Sequence, residues 1–100
     1  VTALKEMGCE LLCHFRNYLG LATANSVKAL MSGADKVAVS VNGVGGNAPL
    51  HEVTIALELI YGFHTGIRFE RMGDLSRMVE ALCGSRAPGS GYYLAQSAKL

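Results

Sequence analysis

Lys36-Val37-Ala38-Val39-Ser40-Val41-Asn42-Gly43-Val44-Gly45-Gly46-Asn47-Ala48-Pro49-Leu50 runs from an apolar segment through a glycine-rich turn into a proline-led one. The apolar part, residues 36–41, reads as a strand covered on both faces, because its side chains do not alternate with polar ones. Proline suits the first turn of a helix, where its missing N–H would have no partner anyway. A helix is therefore expected after Pro49, with Leu50, Val53, Leu57 and Ile60 or Tyr61 on its inner stripe and Gly62 at its end.

Upstream the same order recurs. Residues 9–15 read as another nearly all-apolar strand, and residues 21–32 as a helix with Ala24, Val27, Leu30 and Met31 at core spacing. Residues 1–8 look like the closing turns of a helix stopped by Gly8, and the opening at Val1 suggests a chain entered partway through a larger protein. Downstream, residues 74–82 form a third helical pattern, with Leu75, Met78, Val79 and Leu82 inward and Gly84 just past the end. The tail, 86–100, has no clear periodicity.

Strands alternating with helices imply an α/β fold with parallel pairing through right-handed crossovers. Two parallel strands do not make a stable sheet. Their neighbours are expected from elsewhere, either more chain or another subunit.

Composition narrows the classes. One hundred residues amount to one domain or part of one. A net charge of +1 supplies no basic field for nucleic acid and no polybasic surface for lipid. No apolar run approaches the roughly 18–20 residues that span a bilayer. Cys9, Cys13 and Cys83 lack the paired spacing of a zinc site and read as small buried hydrophobes in a reducing, cytoplasmic setting. The closing Ala98-Lys99-Leu100 is similar to a peroxisomal address, a three-residue match that arises easily by chance.

Ligands of α/β sheets bind at the carboxyl ends of the strands. Two segments fall there: His14 to Asn17, and Gly43 to Asn47. Alternation puts Glu10, Leu12, His14 and Arg16 on one strand face. His14 is a candidate metal ligand or proton-transfer group, or else a satisfied histidine at a strand end. Arg16 has no lone pair for a metal; it can clamp a carboxylate or phosphate, or stand as a solvated rim charge. The turn N–H groups around Gly45 and Gly46 can hold an anion, although the turn lacks full dinucleotide spacing. Asn47 reads as a helix cap. His51 and His64 read as solvated, and Glu52, Glu58, Glu70 and Glu80 as helix-surface charges. No Ser/His/Asp order or acid pair marks a catalytic residue.

His14-Phe15-Arg16-Asn17-Tyr18-Leu19-Gly20-Leu21-Ala22-Thr23-Ala24-Asn25-Ser26 resembles the stretch after the seventh strand of the DRE-type TIM-barrel metallolyases, whose pattern is His-x-His-Asn-Asp-x-Gly-Leu-Ala-x-Ala-Asn. This family includes the isopropylmalate, homocitrate and citramalate synthases and hydroxymethylglutaryl-CoA lyase. The resemblance continues through Gly33-Ala34-Asp35, Val41 to Leu50, Tyr61 to Ile67 and Asp74 to Glu80. It implies the C-terminal quarter of a (β/α)8 barrel, with two parallel strands and three to four helices. Residues 1–62 would be its last two β-α units and residues 63–100 a post-barrel helix and irregular tail. It implies a divalent metal (Mg, Mn or Zn), with His14 matching one ligating histidine and Asn47 the ligating asparagine. Arg16, Gly45 and Gly46 would then contact substrate. The implied chemistry is condensation of an acyl-CoA with a 2-oxo acid. The alternatives are the lyase or aldolase reaction, or an inactive barrel segment binding no cofactor. A homo-oligomer or the rest of the barrel would complete the structure. Asn42-Gly43, Tyr61-Gly62 and Asp74-Leu75-Ser76-Arg77 favour synthases; the ending near Tyr93-Leu94-Ala95-Gln96 is closer in length to the lyases. The sequence departs from the family pattern at Arg16, where a second histidine is usual, and at Tyr18, where Asp is usual. It also lacks the Glu-Arg-Ala that synthases carry between Gly45 and Gly46.

Overall fold

A computed structural model describes residues 1–84 and 86. A short helix α1 (Thr2–Lys5) leads to strand β1 (Leu12–Cys13), helix α2 (Ala22–Met31) and strands β2 (Lys36–Val37) and β3 (Val39–Ser40). A 3-10 turn, Val41–Gly43, precedes β4 (Ala48–Pro49), helix α3 (Leu50–Ile55), a π-helical turn Ala56–Ile60 and helix α4 (Phe69–Cys83). The expected β-α-β-α order is present, and both strand pairs are parallel: Leu12 lies opposite Lys36, and Val39 opposite Ala48. The tail beyond residue 86, with its terminal tripeptide and the Tyr93 to Gln96 segment, lies outside the described residues.

The strands are shorter than expected, and the second one is split. Cys13 offers its carbonyl to the Ala38 N–H (2.9 Å), and Leu11 offers its own to the Lys36 N–H (3.2 Å). Past Ala38 the chain changes partner. It pairs with Ala48–Pro49, which returns alongside it after the glycine turn. Pro49 is therefore extended (φ −68°, ψ 132°) and caps α3 instead of entering its first turn. A sequence scan misses such a return because the pairing is non-local.

Among the described residues, only one face of the strands is covered. Ala22, Val27, Ala48, Val53 and Leu57 form the core, with Phe15, Leu30, Val37 and Val39 packed against it. Glu10, Leu12, His14 and Arg16 point the other way and are exposed, as alternation requires. Residues 37–41 are half-buried, so the cover expected on their second face is not supplied by the described residues.

The helices keep their positions but not always their faces. In α2 the buried residues are Ala22, Ser26, Val27 and Ala29; Ala24 and Met31 are exposed. Beyond α3 the Tyr61 N–H reaches back to the Ala56 carbonyl at 3.2 Å, a five-residue step. That wider turn rotates the apolar stripe, leaving Ile60 and Tyr61 exposed. Helix α4 starts at Phe69, ahead of the expected Asp74, and docks through Met72 and Ser76. Its predicted inward residues Leu75, Met78 and Leu82 face outward, and Val79 is half-buried. Buried Met72 and the polar contacts of Ser76 described below together seat α4. Gly84 ends the helix in the left-handed region (φ 70°), its N–H on the Glu80 carbonyl at 2.8 Å.

Three side-chain expectations need correction. Cys9 and Cys83 are exposed and Cys13 is half-buried, so they are not core residues. Glu52 and Glu58 are not surface charges. Glu52 accepts the Thr23 hydroxyl (2.5 Å), tying α3 to α2. The Glu58 side chain is 14% exposed beneath the Thr65 N–H and His64, which is itself solvated as expected. His51 is buried (3% exposed), because α3 and α4 close around it.

Burial lowers the pKa of His51 from its ordinary 6.5, an effect Glu52 partly offsets. The expected consequence is full stability above 6.5, where folded and unfolded chains both hold the neutral ring. Stability then falls as acid protonates the unfolded chain first, and the loss is complete below the folded value. Urea unfolding across this window should show the slope, and His51→Gln should flatten it. An unchanged slope in the variant would assign the effect elsewhere.

The amino-terminal segment is clasped by Asp35. Its carboxylate accepts the Lys5 ammonium and the Leu11 N–H, each at 2.7 Å, and these contacts hold its pKa below the usual range.

Candidate metal and substrate site

His14 and Asn47 are 33 residues apart in sequence and touch: Nε2 lies 2.5 Å from the Asn47 Oδ1. Because that oxygen can only accept, the His14 nitrogen carries the proton in this contact. Two backbone features bring them together. Alternation beyond β1 turns His14 and Arg16 to the open face. The glycine turn then folds back so that Asn47 bridges Arg16 in antiparallel fashion, with the Asn17 N–H on the Gly46 carbonyl at 2.8 Å.

The other predicted residues gather at the same place. The Arg16 guanidinium passes over Gly46, where an added Cβ would lie 3.7 Å from Nη2. Gly45 and Gly46 both have positive φ (80° and 79°), conformations that side chains resist, so the turn needs glycine here. Asn47 does not cap α3; its Nδ2 donates to the Val44 carbonyl at 3.1 Å.

Two residues not singled out as site residues contribute. Tyr18 accepts from Arg16 Nη2 (3.1 Å) and Nε (3.3 Å), and its ring lies 5.4 Å from the guanidinium carbon. Asn17 accepts the Ala22 N–H on Oδ1 at 3.1 Å and so fixes the start of α2. The i, i+2 spacing of Arg16 and Tyr18 was the available signal for the first. Arg16 makes no ion pair among the described residues, so its charge is held by a neutral phenol and left uncompensated.

The donor set fits part of a metal shell. Imidazole nitrogen and carboxamide oxygen both suit divalent ions. To bind one ion at roughly 2.0–2.2 Å each, the two atoms would separate to about 3 Å. Among the described residues there is no cluster of three His, Cys, Asp or Glu side chains that could hold an ion.

A family model described as HMGL-like matches residues 1–79. A protein of Methanopyrus kandleri, assigned provisionally as an (R)-citramalate synthase, is 51% identical over 81 residues, covering 78% of this chain and 16% of its own. The 2-isopropylmalate synthase of Sulfurisphaera tokodaii is 41% identical over 91 residues, covering 88% of this chain and 23% of its own. That of Pyrococcus furiosus is 42% identical over 94 residues, covering 88% and 18%. The chain thus spans less than a quarter of the length of these curated relatives.

Proposed function

The chain belongs to the HMGL-like family, and on that premise we propose that it forms the closing part of a metal-dependent acyl-CoA/2-oxo acid condensing synthase. In this reading residues 1–62 are the last two β-α units of a (β/α)8 barrel and residues 63–100 follow it. The open strand face bearing His14 and Arg16 looks into the barrel mouth. The observation that carries the reading is the meeting of His14, just past the carboxyl end of β1, with Asn47, at the close of the glycine turn that follows β3. The naming of the relatives as synthases favours condensation over the lyase reaction.

His14 and Asn47 would hold the divalent ion, which when bound polarises a substrate carbonyl. Arg16 and the Gly45–Gly46 turn bind the carboxylate of the 2-oxo acid. Dielectric decides how much this is worth. A charge pair at about 4 Å gains ~1 kcal/mol in water and ~4 kcal/mol at an effective dielectric of 20. Exposed as it is here, Arg16 is a weak anion site, and enclosure by the remaining strands makes it an effective one. Tyr18 holds the guanidinium without neutralising it. The open strand edges recruit either the rest of the barrel or a second copy. Among the described residues no helix is long and apolar enough to cross a membrane, and we place the activity in the cytoplasm.

The test is thiol release by the intact protein from acetyl-CoA with a panel of 2-oxo acids. Release that requires both substrates and a divalent ion is expected. Absence of release with every acceptor, alongside cleavage of a 3-hydroxy-3-methyl acyl-CoA, would transfer the protein to the lyase reading. Absence of both would leave an inactive barrel segment.

A further inference from the structure

Asn42 is the only non-glycine residue with positive φ among the described residues (φ 59°, ψ 12°). Such a conformation is costly and persists where neighbouring contacts over-determine it. Here α4 supplies them. Asn42 Nδ2 donates to the Ser76 carbonyl at 3.0 Å, and the Ser76 hydroxyl donates to Asn42 Oδ1 at 2.5 Å. Both residues are buried, at 5% and 6% exposure. Ser76 and Met72 are the buried residues of α4, so this polar clasp joins Met72 in seating the helix.

From Asn42 the turn is bonded step by step toward the site. The Val44 N–H meets the Val41 carbonyl (3.2 Å) and the Gly46 N–H the Gly43 carbonyl (3.0 Å). The Val44 carbonyl then accepts from the Ser40 hydroxyl (2.8 Å) and from Asn47 Nδ2 (3.1 Å). A carboxamide has a donor end and an acceptor end. Anchoring its nitrogen on Val44 aims its oxygen at His14; without that anchor the group can turn over and present N–H to the ring.

We propose that Asn42 and Ser76 are positioning residues for the His14–Asn47 pair: the docking of α4 on the turn sets which end of the Asn47 carboxamide faces the site. The link to catalysis rests on the functional reading above, whereas the positioning itself does not. Anything that lifts α4 acts on the pair through the turn.

The test is NMR of the intact protein with labelled histidine and asparagine. In the unaltered protein, kept free of divalent ions by chelator so that His14 and Asn47 face each other, the His14 Nε2 proton is expected to be hydrogen-bonded and slow to exchange. Ser76→Ala and Asn42→Gly should each speed its exchange roughly tenfold, the loss of one modest hydrogen bond. Both should also move the Asn47 Nδ2 signals, and Ser76→Thr should restore them. Asn42→Gly keeps the positive φ available, so it separates the clasp from backbone strain. Ser76→Ala deletes one hydroxyl from a helix and preserves a readable fold if Asn42→Gly does not. Wild-type exchange at His14 in Ser76→Ala, with unchanged β1–β2 amide signals, would overturn the proposal. If His14→Ala spares turnover while Ser76→Ala still frees the pair, the functional reading falls and the positioning stands.

Discussion

His14→Ala in the intact protein is expected to lower thiol release at least about a hundredfold, equivalent to roughly 2.7 kcal/mol of transition-state stabilisation. The substitution removes one candidate metal donor and leaves the Asn47 Oδ1 without its present partner. Little stability should be lost, because His14 is exposed on the open strand face. Circular dichroism and the unfolding midpoint should therefore match the parent while turnover collapses. Arg16→Ala provides the contrast. If Arg16 binds the 2-oxo acid in ground and transition states alike, KM should rise about tenfold with kcat little changed. Turnover by His14→Ala within about twofold of the parent would remove His14 from the site.

The second large effect is a gain. Arg16→His in the intact protein should tighten divalent-metal binding by about a hundredfold, from two terms of similar size. Were the ion held by His14 and Asn47 with the guanidinium within about 5 Å of it, the repulsion would cost ~1.7 kcal/mol even in water, about a factor of ten to twenty. An imidazole on the same strand face as His14 adds a nitrogen donor worth a similar factor. Arg16→Ala removes the charge without adding the donor, so it should give only the first factor. Calorimetric titration with Mn²⁺ separates the two. Equal affinity in Arg16→His and Arg16→Ala would show that residue 16 does not converge on the ion with His14.

Glu58 and His51 show why surface and core are hard to separate on helices. Each sits in a helix with several apolar neighbours, and the sequence does not say which flank another element covers. Glu58 is covered because the π-helical turn brings residues 63–65 back over it, and His51 because α4 docks beside it.

Local chemistry determined the order of strands and helices, the alternation that sets His14 and Arg16 together, the glycine turn and the family pattern. All of these are nearest-neighbour properties: side-chain period, the φ that glycine permits, and motif spacing. The tertiary structure alone decided the exchange of strand partners at Ala38, the seat of α4 on Asn42 and Ser76, and the contact between His14 and Asn47. Each depends on segments far apart in the chain. Directional hydrogen bonds between distant residues select one arrangement, and no local pattern encodes that choice.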